Sequence, residues 1–272
     1  MQQLLPFTKI QYGKKRLGPI NWEGFKSLYF KEVQRFTKVA MQTIVAPVIS
    51  SLLFLFIFKI AIGDRVVSGV GINFENFLVP GLIMMAIIQN AFANTSSSLL
   101  ISKVQGNIVD LLMSPLNELE IIIAFLFAGV TRGIVVGIAT YLAILPFISI
   151  PIVEISSIIF FSFVTSISMA SIGLMTGIWA EKFDHMATIS NFVIMPLSFL
   201  SGTFYSITIL PEFFRTICMF NPFFYMIDGF RSGFLGYADG SIFIGFLFLN
   251  CFAFLLVLSC YALLKSGYRL RL

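Results

Sequence analysis

Ionisable side chains withdraw from six stretches of this chain, at 39–58, 77–101, 121–145, 152–180, 186–205 and 241–264. Only Arg132 and Glu154 fall inside any of them. An apolar helix of about 20 residues is the length that crosses the roughly 30 Å hydrocarbon layer of a bilayer. Within that layer every backbone N–H and C=O must find its partner inside the chain, so each stretch is a helix. The six together predict an all-α integral membrane protein with six transmembrane helices.

Composition agrees. Of 272 residues, 58% are hydrophobic and 11% charged, against about 25% charged in an ordinary soluble domain. The net charge of +5 does not indicate nucleic acid, because the basic residues are not spread over a soluble face. Lys9, Lys14, Lys15, Arg16, Lys26, Lys31, Arg35 and Lys38 precede the first span, and Lys265, Arg269 and Arg271 follow the last. Basic residues at the ends of spans mark the cytoplasmic side. Both termini are therefore expected in the cytoplasm, and the basic clusters suit contact with anionic membrane lipids.

Four other segments complete the plan. Residues 1–19 form a basic cytoplasmic arm. From 20 to 38, Trp22, Phe25, Tyr29, Val33 and Phe36 recur at helical spacing while Lys26, Gln34 and Arg35 face elsewhere. This predicts an interfacial amphipathic helix lying in the inner headgroup layer. Residues 39–264 hold the transmembrane domain, and 265–272 a basic cytoplasmic tail. Pro47 is expected to kink the first span. Within 206–240, Pro211, Glu212, Arg215, Asn221, Pro222, Asp228 and Arg231 interrupt every window of spanning length. A seventh span there would carry the basic tail to the wrong side. Short re-entrant helices before the last span are expected instead. They read either as an outer gate, with Pro211, Asn221, Pro222 and Arg231 its candidate residues, or as a plug that seals the outer leaflet.

Three features bear on function. The inner segment 103–115 places Val104, Ile108, Leu111 and Leu112 on one face of a short helix that Pro115 ends. Asn117 and Glu120 then cap the third span. The apolar face suits either a docking partner or the bilayer surface. Gly129, Gly133 and Gly137 in the third span, with Gly173 and Gly177 in the fourth, let helix backbones approach closely. Packing within one chain and a contact between subunits both fit that spacing. Arg132 lies near the middle of the third span, where a charge costs roughly 2.5–3.5 kcal/mol to insert. Gln89, Asn90 and Asn94 are its candidate partners, in a structural polar site or along a substrate path.

Several chemistries are disfavoured. No acidic residue lies at the centre of a predicted span, whereas ion-coupled transporters usually keep ionisable groups there. The single histidine, His185, excludes a His-rich metal site. No G-x-x-x-x-G-K-[ST] phosphate loop is present. Cys218, Cys251 and Cys260 form no spacing motif and read as packing residues. No catalytic, cofactor-binding or metal site is expected on this chain.

Five segments then carry a resemblance. They are FLVPGLIMM (77–85), GNIVDLLMSP (106–115), Arg132-Gly133, FYSITILP (204–211) and NPFFYMIDGFR (221–231). In this order and spacing the chain resembles the ABC-2 type permeases, the membrane subunits of ATP-driven exporters. The resemblance implies a homodimer in the bacterial inner membrane, paired with two cytoplasmic ABC ATPase subunits that carry ATP and Mg. It implies that 103–115 is a coupling helix, so that Val104, Gly106, Ile108, Asp110, Leu111, Leu112 and Pro115 face the ATPase. Glu181 and Asp184 would make a second, smaller contact. A path walled by aromatic and aliphatic side chains with few charges suits an amphipathic or lipid-linked cargo: a drug, a lipid or a glycan. An ion-coupled secondary transporter and a non-transporting membrane scaffold are the alternatives.

Overall fold

The computed structural model describes residues 20–63, 66 and 71–269. The basic arm 1–19, the loop residues Asp64, Arg65 and Gly69, and Arg271 of the tail lie outside the described residues. Within them the chain is helical throughout, with one isolated antiparallel bridge between Val66 and Asn73. Among the described residues, five helices are long and apolar enough to cross a membrane.

Helix α3 (Phe74–Val104) is the axle of the bundle. It is enclosed by α5 (Glu118–Ile144), α6 (Ile155–Trp179) and α10 (Pro222–Leu235), with α2 (Ala46–Ile62) against its outer half. The enclosure follows from the small residues. A Cβ at Gly173 would stand 2.4 Å from the Phe92 carbonyl oxygen. One at Gly129 would stand 2.7 Å from the Ala170 Cβ, and one at Gly137 the same distance from Ile87. The glycine rows of the third and fourth spans therefore serve packing within one chain. Hydroxyls on α3 reinforce it: Thr95 Oγ1 donates to the Ala170 carbonyl on α6 at 2.7 Å.

Helices α2 and α11 (Ile242–Ser266) are peripheral and present most of their apolar surface outward. Where α2 ends and α3 begins, Lys59 Nζ meets Glu75 Oε2 at 2.9 Å. Buried Cys218 and Cys260 pack as expected, whereas Cys251 is exposed on α11.

The first span begins as a π-helical turn, Met41–Val45, which continues directly into α2. The expected irregularity at Pro47 therefore falls just before the proline. Pro47 has no N–H for the Thr43 carbonyl, and its ring crowds that carbonyl; widening the preceding turn relieves both. The same solution recurs at Pro196. The stretch expected as the fifth span is built from α7 (Phe183–Ile189), a π-turn (Ser190–Ile194) and α8 (Met195–Leu200), of seven, five and six residues. This rod, continuous through its π-turn, is not among the five spanning helices of the described residues.

Helix α1 (Trp22–Thr37) is amphipathic, and it packs along α5 rather than across the ends of the bundle. Asn21 N donates to Glu120 Oε1 at 2.7 Å, while Tyr29 Oη meets Thr131 Oγ1 at 2.8 Å. Both helices advance together, so they run in the same direction. Leu28, Glu32 and Phe36 are buried, and Trp22 and Phe30 face out.

Between α8 and α11 the chain forms a 3₁₀ turn (Ile207–Ile209), α9 (Glu212–Phe220) and α10. These are the short helices expected before the last span.

Candidate functional site

Three polar or exposed regions stand apart from the apolar packing. The first is the inner segment between α3 and α5. Gly106 takes φ +77°, a left-handed turn that opens the way into α4 (Ile108–Leu112). Ile108 is buried and Leu111 half-buried, both against Leu28, Ile121 and their neighbours. Val104 and Leu112 do not share that face. They are exposed together with Val109 and Met113, the last at 81%. The single apolar face expected from spacing is therefore divided. A five-residue helix entered through a sharp turn does not keep the register that a longer helix imposes.

Both ends of this segment are fastened. Lys103 Nζ donates to the Ile178 and Ala180 carbonyls, each at 2.7 Å, at the inner end of α6. At the other end Asn21 Nδ2 donates to the Pro115 carbonyl at 3.0 Å. Glu120 accepts from Asn21 N through one oxygen and from Asn117 N through the other, at 2.8 Å. The expected cap at Asn117 and Glu120 is present and is shared with α1. Gly106, Asp110 and Pro115 are exposed, as are Glu181 in the loop after α6 and Asp184 in the first turn of α7. Glu181 lies 3.5 Å from Arg269 Nη1.

The second region lies between α1, α3 and α5. Arg132 donates through Nε and Nη2 to Asn90 Oδ1, at 3.3 and 3.0 Å. Asn94 serves a different arginine: Arg35 Nη2 donates to its Oδ1 at 3.0 Å and to its carbonyl at 2.7 Å. Arg35 Nε also bonds Glu32 Oε2 at 3.1 Å. Gln89 faces away, into a cleft of about 330 Å³ shared with Gln42, Pro47, Ser50 and Phe199. Sequence reasoning found Asn90 and missed Arg35, whose place in the helical period had assigned it to the polar face. A basic side chain is long enough to leave its own face.

The third region is the end of the bundle away from α4, expected to face outward. Arg231, 1% exposed, donates through Nη2 to the Gly202 carbonyl at 2.6 Å and stacks 3.8 Å over the Phe77 ring. Asn221 Nδ2 donates to the Leu197 carbonyl and to Ser201 Oγ. Pro211 and Pro222 begin α9 and α10. Asp228, expected at the outer edge, is buried and accepts from the Asp239 and Gly240 N–H groups. Asp239 in turn accepts from Ser206, Tyr237 and the Ile207 N–H. The candidate gate residues thus fasten the loop after α8 onto α10.

A bundle of apolar spans, joined by a segment whose exposed apolar residues are fastened at both ends, defines a multi-pass membrane protein. The family model of the ABC-2 type transporter matches residues 23–235, and the chain belongs to that family. It is 38% identical to the inner membrane transport permease YadH of Escherichia coli K12 over 256 residues, 92% of this chain and 98% of that protein. The Shigella flexneri protein of the same name matches equally. Nodulation protein J of Rhizobium leguminosarum bv. viciae is 25% identical over 80% of this chain and 84% of its own length. The chain is therefore a multi-pass permease of the bacterial inner membrane, and its family implies an ABC ATPase as partner.

Proposed function

We propose that this chain is the membrane half of an ATP-binding cassette exporter, working as a pair of identical permeases with two separate ATPase subunits. Its cargo is amphipathic or lipid-linked and leaves the cytoplasm or the inner leaflet. The observation that carries the reading is the exposed patch of Val104, Val109, Leu112 and Met113, with Asp110 beside it. Four apolar residues on a short segment outside the spans are a docking surface for another protein rather than a stable free surface. Gly106 and Pro115 set the turn and the end of that segment. Glu181 and Asp184 add a smaller contact.

ATP-driven closure of the ATPases would drag the docked segments together. The fastenings through Lys103 and through Asn21 with Glu120 support transmission as a rigid unit, to α6 on one side and to α1 and α5 on the other. Cargo release then depends on which of the two bundle states binds it better. Gln89 lines an inner cleft, and Asn221 and Arg231 hold the outer loop shut until the helices move.

The test is reconstitution in liposomes with a soluble ATPase carrying a phosphate loop. Export that needs both chains and ATP is the expected result. Cargo movement by the purified permease alone, or driven by an ion gradient, overturns the reading.

A further inference from the structure

Arg132 is 8% exposed, and both hydrogen bonds it makes go to one neutral oxygen, Asn90 Oδ1. No carboxylate contacts it among the described residues. The charge that acts on it is Arg35, of the same sign. Arg35 engages Glu32, Ser97 and Asn94, so the one carboxylate of the cluster is paired with Arg35 and not with Arg132. Asn94 Nδ2, on the amide that Arg35 grips, is buried with no acceptor. Arg132 bonds through Nε and Nη2, and its Nη1 makes no hydrogen bond among the described residues. The cluster therefore holds one positive charge in excess and at least two idle donors, in a setting where an uncompensated charge is costly.

Its depth adds a second constraint. Gln42, at the start of the first span, lines the same cleft as Gln89, the neighbour of Asn90. Lys38 lies just before that point, and the Lys59–Glu75 pair marks the opposite end of the span. The arginines consequently stand level with the start of the first span, while Arg132 is midway along α5.

We propose that Arg35, Arg132 and Asn94 form a binding site for the phosphate of an anionic, inner-leaflet amphiphile. Arg132 Nη1 and Asn94 Nδ2 supply donors, and the excess charge supplies the counterion preference. Planar guanidinium forks suit phosphate oxygens, and such charge-assisted bonds are the strong ones. Helix α1 contributes Arg35, so the site exists only while α1 is docked on α3 and α5.

The site rests on the family reading for the orientation of the bundle alone. The test uses the full chain purified without any ATPase, and follows retained lipid by native mass spectrometry. Phosphatidylglycerol is expected to be retained about tenfold better than phosphatidylcholine, the effect of one charge-assisted contact. Arg132→Gln and Arg35→Gln should each abolish that preference, while Lys265→Gln, a control on the inner surface, should keep it. Arg132→Lys keeps the charge without the fork and should fall between. Should the glutamine variants fail to fold, the wild type still decides: phosphatidylglycerol should raise its Tm and phosphatidylcholine should not. Displacement of the lipid by millimolar inorganic phosphate would mean that free phosphate is read too. Resistance to it would mean that the headgroup is read on its acyl chains. Equal retention of both lipids, or a preference that survives loss of both arginines, overturns the site. Failure of ATP-driven export would leave this result untouched, and the reverse holds equally.

Discussion

Lys103 Nζ, at the inner end of α3, donates to the Ala180 carbonyl just past the end of α6, 2.7 Å away, and to Ile178 at the same distance. One ammonium thereby satisfies orphan carbonyls of a neighbouring helix and sits where the helix dipole is negative. Residues of α4 begin five positions later, so the mounting of the docking segment depends on this side chain. Lys103→Met should lower stability by about 1 kcal/mol, read as a fall in Tm in detergent. It should also weaken the stimulation of ATP hydrolysis by cargo, because the segment can then move without α6. Lys103→Arg should restore most of both. Unchanged coupling in the methionine variant would remove the fastening from the mechanism.

The divided face of α4 separates folding from docking. Leu112 and Met113 are exposed, so changing both to Asp should alter stability by no more than about 0.5 kcal/mol. Co-purification of the ATPase should nevertheless be lost. Ile108 is 2% exposed against Leu28 and Ile121. Ile108→Asp should cost about 3 kcal/mol or more, through lost packing and a buried carboxyl. Thermal unfolding and pull-down on the same three samples check this. Retained ATPase binding by the double variant would mean that the partner docks elsewhere.

The four long helices α3, α5, α6 and α11 were legible because freedom from charge over a spanning length is a property of single residues in sequence. Where the reading was incomplete, the deciding contact joins residues far apart. Nothing local to Leu112 reveals that Gly106 adopts positive φ and rotates α4. Arg35 looked like a surface residue because its period is polar, while its partner Asn94 lies on another helix. Arg132, read near the middle of the third span, is midway along α5. The rod α7–α8 was anticipated as a span and is not among the five long apolar helices of the described residues; its first turn carries Asp184 and His185. By contrast, Asn117 and Glu120 were read correctly, since a cap is a matter of three residues of spacing.

The glycines of the third and fourth spans should differ in sensitivity, although their spacing is alike. A methyl at Gly173 meets the Phe92 carbonyl oxygen at 2.4 Å, and backbone cannot yield without moving α3. Gly173→Ala should therefore cost about 2 kcal/mol, a typical overpacking penalty. At Gly137 the nearest atoms belong to the Ile87 side chain, which can rotate, and alanine also favours the helix. Gly137→Ala should be close to neutral. Tm values of the two variants, measured side by side in one detergent, decide it. Equal losses would mean that the helices separate as rigid cylinders whatever atom is met.

Asp239 should be the fastener on which the outer loop depends most. It accepts from Ser206 Oγ and Tyr237 Oη at 2.7 Å each and from the Ile207 N–H at 3.0 Å, and its own N–H is held by Asp228 at 2.8 Å. Asp239→Ala strips three donors of their acceptor at once. The loss should be about 2 kcal/mol, because donors left without a partner lose more than a single bond is worth. The change should be local as well as global. Amide exchange at Ile207 and its neighbours should accelerate, while the amides of α3 should exchange as before. Asp239→Asn keeps one acceptor oxygen and should lose less. If exchange in the loop were unaltered by the alanine, Arg231 and Asn221 alone would suffice to hold it against α10 and α8.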